Sequence, residues 1–253
     1  MFAHISPLPG DRVRLDGFRA TGRRMRQLIR AAWLAPIALG VGAVSAATQE
    51  PGFSRSVTPG LVQRYAAKFG PEVGTRIGGW REFVRAAPAG QRPPSGGDVN
   101  LLATVNAFFN QLPFVADIAH WAVEDYWASP AEAVASNGAD CEDFSIAKYF
   151  ALKELGVPIQ RLRITYVKAV SLNQAHMVLA YYAAPDAVPL ILDNLQDAVK
   201  PASERPDLVP VYSFNDEDLL FVRRGQRDLR AGSATQIRQW RALLDKLQQE
   251  LLY

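Results

Sequence analysis

The chain has 253 residues, 49% of them hydrophobic and 21% charged, with one cysteine and three histidines. Its formal net charge is +3, but residues 1–46 carry seven arginines and only two aspartates. The remaining residues hold 21 basic and 23 acidic side chains, a net charge of about −2, so the charge balance gives no basis for nucleic-acid binding. A single cysteine cannot form an internal disulfide, so Cys141 is a buried thiol, an intermolecular link or a reactive group.

The N-terminal region has the pattern of a secretory signal. Residues 31–46 form an apolar run that follows an arginine cluster and ends in small residues. The run is short for a membrane span of about 20 residues and contains Pro36, which favours cleavage near Ala46 over a retained anchor. Met25 directly precedes this segment and is a second candidate start. We therefore expect a signal peptide over residues 1–46 and no stable membrane insertion after its removal.

The mature part is long enough for one domain with a hydrophobic core. Thr58-Pro59 predicts the start of a helix that Gly70-Pro71 ends. Asp98 predicts a second helix start, and apolar residues at helical spacing between about Ser233 and Leu252 predict a terminal helix packed on the domain. The second helix presents one apolar stripe, formed by Leu101, Leu102, Val105, Phe108 and Phe109.

Two short-range signals frame the cysteine. Ser129-Pro130 with Glu132 predicts a capped helix that ends at Asn137-Gly138, and a second helix is expected from Cys141 to about Leu155. Cys141 then lies in the first turn of that helix. There the macrodipole favours a thiolate, and the backbone amide can hold an oxyanion.

The three acids around Cys141 oppose this role. Asp140, Glu142 and Asp143 should raise the pKa of the thiol, because nearby negative charge disfavours the thiolate. One interpretation is that they are ordinary first-turn acids beside an inert thiol. If Cys141 is a nucleophile, a positive charge must come from elsewhere.

Three apolar runs after this helix, at 162–167, 175–182 and 190–194, predict antiparallel strands. A single histidine in an apolar strand, such as His176, is more often a core residue than a catalyst. The order of a cysteine, a histidine on a strand and an aspartate on the next strand is nevertheless what a thiol protease or acyl-transferase triad requires. In that triad Cys141 attacks, His176 exchanges the proton and Asp193 orients the imidazole, with Asn194 as the alternative orienting residue.

The motifs around these residues are similar to those of LapG, the family of bacterial transglutaminase-like cysteine proteinases. They are Asp-Cys-Glu-Asp-Phe-Ser-Ile-Ala-Lys-Tyr at 140–149, Asn-Gln-Ala-His-Met-Val-Leu-Ala-Tyr-Tyr at 173–182, Leu-Asp-Asn-Leu at 192–195 and Pro-Ala-Ser-Glu-Arg-Pro-Asp at 201–207. The resemblance runs over roughly residues 100–220. It implies an α+β fold of papain-like or transglutaminase-like type, with a helical N-terminal lobe and the cysteine at a helix N-terminus packed on an antiparallel sheet. We expect this domain over residues 47–225 and the terminal helix over 226–253.

The resemblance also implies a function. It indicates a periplasmic, calcium-dependent cysteine endopeptidase that cuts the N-terminal region of a large LapA-like surface adhesin at a di-alanine site, which releases the adhesin and disperses a biofilm. A LapD-like inner-membrane receptor for cyclic di-GMP is the implied regulatory partner. The family's catalytic roles fall on Cys141, His176 and Asp193.

The same resemblance ties Asp140 and Glu142 to calcium. Calcium takes six to eight oxygen ligands, so Asp143 is a further expected ligand, and Asp117 and Asp125 are weaker candidates. The ion would supply the missing positive charge beside the thiol. Two other functions stay open from the residues alone: a transglutaminase or acyltransferase with the same triad, and a non-catalytic calcium-binding adaptor.

Overall fold

The computed structural model describes residues 54, 57–87, 97–223 and 228–253. The signal peptide predicted over residues 1–46 lies outside the described residues. Within the described ranges, no helix is both long and apolar enough to cross a membrane.

The helices begin where local sequence signals place them. Thr58 accepts a hydrogen bond from the Leu61 amide and caps the first helix, and Ser129 forms a capping box with Glu132. Asn137 ends the helix that Ser129 begins and has a left-handed conformation, with φ 57°. The described helices are α1 (Pro59–Phe69), α2 (Val73–Ala86), α3 (Gly97–Phe109), α4 (Asp117–His120), α5 (Pro130–Ser136), α6 (Cys141–Glu154) and α7 (Arg238–Glu250).

The described strands form one antiparallel sheet of seven strands in the order β4-β3-β2-β1-β5-β6-β7. They are β1 (Leu162–Ala169), β2 (Gln174–Tyr181), β3 (Leu190–Leu192), β4 (Lys200–Pro201), β5 (Leu208–Phe214), β6 (Asp218–Phe221) and β7 (Leu229–Ser233). The three predicted strands are β1 to β3, which confirms the mixed helix and antiparallel-sheet class. The sheet continues past residue 225, because β7 precedes the terminal helix α7.

Helix α6 is the central element of the helical layer. It packs against β1 and β2 of the sheet and against α3 and α5, and its residues from Asp143 to Leu152 are all buried. Trp240 of α7 completes the core, with ring centroids 5.2 Å from Phe214 and 6.0 Å from Tyr149. Burial on all sides fixes the position of α6, and therefore of the cysteine in its first turn.

Candidate active site

Cys141 is the first residue of α6 and is half-buried. Its Sγ donates a hydrogen bond to Glu142 Oε2 at 3.0 Å and accepts one from the backbone N–H of Met177. Met177 follows His176 on β2, so the thiol lies beside the strand that carries the histidine. Burial, and then the Glu142 carboxylate, raise the pKa of the thiol, against the smaller effect of the Met177 amide. The hydrogen bond to Glu142 is one that only the protonated thiol can donate.

His176 and Asp193 form a buried pair. His176 Nε2 lies 2.8 Å from Asp193 Oδ1, and the two side chains are 3% and 0% exposed. The bond confirms that β2 and β3 bring these residues together, and the imidazole is paired with Asp193 rather than with Asn194. Because the bond uses Nε2, Nδ1 is the ring nitrogen left to exchange a proton. The structure thus joins His176 directly to Asp193. The Cys141 thiol on α6 contacts the backbone of Met177, the residue that follows His176 on β2.

The second oxygen of Asp193 has its own partner, Arg205. Arg205 Nη2 donates to Asp193 Oδ2 at 2.7 Å, and the Leu195 amide donates to Oδ1 at 3.0 Å. Burial works to raise the pKa of Asp193, but the bonds from His176, Leu195 and Arg205 outweigh it and hold the pKa at about 2. Asp193 is therefore a carboxylate at every physiological pH. Sequence reasoning missed Arg205, although it lies within the motif at 201–207.

The segment that carries Asp193 is tied to α3. Asn110, just after that helix, donates from its side chain to the Asp193 carbonyl oxygen at 2.9 Å and to Asp197 Oδ1 at 2.8 Å. Asn106 Nδ2 donates to the Asp197 carbonyl oxygen at 2.9 Å. These amides fix the loop after β3, so the helical layer positions the acid as well as the thiol.

Three acids form a cluster next to the thiol. One carboxylate oxygen from each of Asp117, Asp140 and Glu142 lies within 4.8 Å of the others. Asp117 Oδ1 and Asp140 Oδ1 are buried and find no hydrogen-bond donor among the described residues. Burial, and then neighbouring carboxylates, raise the pKa of Asp117 to about 6, although the Tyr126 amide opposes this, and raise that of Asp140 to about 9. Buried carboxylate oxygens without donors fit a hard cation.

Asp143, an expected ligand, serves a different purpose. Its Oδ1 accepts the Ala128 amide at 2.7 Å, and its Oδ2 faces the Asp140 amide at 3.5 Å as part of a capping box. Both oxygens are thus directed to backbone amides, and Asp143 lies outside the cluster, so its role as a calcium ligand stays a prediction. Asp117, the weaker candidate, takes its place in the cluster because α4 carries it next to Asp140. Asp125 is directed away, to Trp127 and Gln239.

A family model of bacterial transglutaminase-like cysteine proteinases (BTLCP) matches residues 91–207, which include Cys141, His176 and Asp193. A search of curated proteins found no match.

Among solved structures, three of Legionella pneumophila LapG are similar to this chain, each with 40% identity over 74% of it. The EGTA-treated form gives a TM-score of 0.63 and a second LapG structure 0.61, with 95% of each covered. The calcium-bound form gives 0.60 with 97% covered. The chain therefore belongs to the bacterial transglutaminase-like cysteine proteinases, the family of LapG.

Proposed function

We propose that the protein is a calcium-dependent cysteine endopeptidase of the periplasm that cuts a large surface adhesin near its N-terminus. The observation that carries the proposal is the buried His176–Asp193 pair beside a helix-initiating cysteine, together with a cluster of acids that includes the hydrogen-bond partner of the thiol. A thiol protease needs the first feature. A calcium switch needs the second.

The geometry supports the following catalytic steps. Nδ1 of His176 accepts the thiol proton as Sγ of Cys141 attacks the scissile carbonyl carbon, and Asp193 holds the imidazole through Nε2. The amide of Cys141, at the N-terminus of α6, donates to the oxyanion. His176 then returns the proton to the leaving amine as the C–N bond breaks. Water hydrolyses the thioester and regenerates the thiol.

The cation site would be formed by Asp117, Asp140 and Glu142, completed by further oxygen ligands. A bound calcium ion supplies positive charge beside the carboxylates that oppose the thiolate. Glu142 links the two sites, because the same side chain belongs to the cluster and accepts the thiol hydrogen bond. When Glu142 turns fully toward the cluster, the thiol loses its acceptor and is free to engage His176. The similar LapG of Legionella pneumophila has a calcium-bound and an EGTA-treated structure, which supports calcium as the ion.

Family membership and the predicted signal peptide support a proposal for substrate, partner and location. We infer a LapA-like adhesin with a di-alanine cleavage site as substrate, and a LapD-like inner-membrane receptor for cyclic di-GMP as regulator. Cleavage would release the adhesin and disperse a biofilm.

The test is cleavage of an adhesin N-terminal fragment that carries a di-alanine site, by the protein from Ala47 onward, in calcium and in EGTA. The control is the Cys141→Ala variant of the same protein. We expect cleavage only in calcium and only with the thiol present. Transfer of a labelled amine to the fragment without cleavage would support an acyltransferase instead, and binding without reaction would support an adaptor.

A further inference from the structure

Arg205 connects the candidate triad to a second acid near the surface. Its Nη2 contacts Asp193 Oδ2 at 2.7 Å and Asp207 Oδ2 at 2.8 Å, while its Nε donates to Asp207 Oδ1 at 3.0 Å. The Arg205 side chain is 6% exposed and that of Asp193 is fully buried, whereas Asp207 is 38% exposed. The four residues Asp207, Arg205, Asp193 and His176 therefore form a continuous chain of ionic hydrogen bonds that ends at the imidazole.

We propose that Arg205 is a positioning residue for the reaction, which fixes the Asp193 carboxylate and balances its charge so that His176 can both take and return a proton. This inference rests on the proposed function, in which His176 is the base. Nothing in the preceding assignment of Cys141, His176 and Asp193 requires a cation behind the aspartate.

Arg205 fixes the orientation of the Asp193 carboxylate. A carboxylate with one free oxygen can rotate about its terminal torsion and exchange the oxygen that faces the imidazole. Here Oδ2 is held by Arg205, and Oδ1 accepts both the Leu195 amide and His176 Nε2. The guanidinium fork is in turn held by Asp207, so its own orientation is set.

Arg205 also balances the negative charge of Asp193. A buried Asp193 without a counter-charge would over-stabilise the imidazolium, and His176 would then release its proton to the leaving amine slowly. Arg205 offsets that negative charge. Other charges also act here: Lys148 of α6 interacts with Asp193 and Asp197, and burial lowers the pKa of its ammonium to about 7. Because this ammonium is partly neutral near pH 7, Arg205 is the constant positive charge in direct contact with Asp193.

The test separates charge from geometry with two variants and one matched control. Arg205→Gln removes the charge and Arg205→Lys keeps it but removes the planar fork. Arg163→Gln breaks another ion pair of the same 2.7 Å length, between Arg163 and Asp228. For each protein we would measure the NMR titration of the His176 imidazole in calcium, the thermal midpoint, and kcat and KM for adhesin cleavage.

We expect the His176 titration to move to higher pH by about one unit in Arg205→Gln and by less than about 0.3 unit in Arg205→Lys. We expect kcat to fall about 10- to 100-fold in both variants, with KM changed less than about threefold, because positioning acts on the transition state. Arg163→Gln should leave the titration and kcat unchanged.

An unchanged His176 titration in Arg205→Gln, or an equal loss of kcat in Arg163→Gln at equal loss of thermal midpoint, would overturn the proposal. If Arg205→Gln does not fold, Arg205→Lys and Asp207→Asn carry the test. Asp207→Asn loosens the guanidinium from outside, so we expect a kcat decrease of about three- to tenfold, and a wild-type kcat there would contradict the account. The titration needs no substrate, so it tests the effect of Arg205 on His176 even if the adhesin is not cleaved.

Discussion

The Cys141 thiol donates its hydrogen bond to Glu142, 3.0 Å away, and not to a histidine nitrogen. The acceptor belongs to the acidic cluster with Asp117 and Asp140. The proton that Cys141 would give up in the proposed reaction is therefore bonded to a residue of the candidate calcium site. In the proposed switch, Glu142 would keep the thiol protonated until the ion engages its carboxylate.

Glu142→Gln should uncouple the cluster from the thiol. The neutral amide lacks the negative charge that calcium requires. We therefore expect calcium affinity to fall at least about tenfold and the rate of cleavage to fall with it. Isothermal titration with calcium measures the first effect. Glu124→Gln, an exposed nearby acid, is the control and should bind calcium like the wild type. Equal affinity in Glu142→Gln and wild type would remove Glu142 from the site.

Asp117→Asn and Asp143→Asn should have opposite effects on the calcium-free protein. Asp117 has a buried oxygen that receives no hydrogen bond from the described residues and lies next to two other acids. Neutralising this side chain should therefore maintain or raise the unfolding free energy in EGTA, and it should weaken calcium binding. Asp143 accepts backbone amides, so its replacement should cost about 1–3 kcal/mol of unfolding free energy with little effect on calcium affinity. Urea unfolding in EGTA and calcium titration measure the two. The reverse pattern would restore Asp143 as a ligand.

Glu250 should make stability depend on pH. Burial, chiefly, raises the pKa of this carboxyl from 4.5 to about 7, against hydrogen bonds from Ser129 and Tyr65. Because the folded-state pKa is above the unfolded value, the folded protein binds more protons between pH 4.5 and 7. Its stability should therefore be full below about pH 4.5 and fall as pH rises through 7, by at most about 3 kcal/mol.

Glu250→Gln keeps an oxygen that can accept both hydroxyl bonds and cannot ionise. We expect this variant to lose less stability than the wild type between pH 4.5 and pH 7.5, as measured by urea unfolding at both values. Parallel pH profiles for the two proteins would show that Glu250 does not titrate on unfolding in this range.

Asp193→Ala should abolish most of the activity, because the imidazole loses the partner that fixes its Nε2 proton. We expect a decrease in kcat of about 100-fold or more and little change in KM. Asn194→Ala tests the alternative orienting residue and should stay within about threefold of wild type. A wild-type rate in Asp193→Ala with a loss in Asn194→Ala would exchange the two roles.

Local signals predicted the elements that carry the candidate triad. The capping box at Ser129 and the expected helix start at Cys141 were confirmed, as were the three strands around His176. These features are local: a capping residue, a short apolar run and a change of hydrophobic period can be found without knowing the partner segments.

The parts that sequence reasoning missed depend on distant contacts. Helix α2 buries Val73, Ile77, Trp80 and Val84 at helical spacing, but Gly74, Gly78 and Gly79 lower its helix propensity, and packing overrides that cost. Arg205 contacts an acid twelve residues away across the sheet edge, which no spacing rule predicts. The position of Asp117 next to Asp140 could not be predicted for the same reason, since α4 is placed by tertiary packing.

The proposed calcium switch can be measured as the rate at which a small haloacetamide alkylates Cys141 at pH 7.5, in calcium and in EGTA, for the wild type and for Glu142→Gln. We expect calcium to accelerate alkylation of the wild type at least about tenfold. Glu142→Gln should show little acceleration, because the link between the cluster and the thiol is broken. Equal rates in calcium and EGTA for the wild type would contradict the proposal that the acids around Cys141 form a calcium switch.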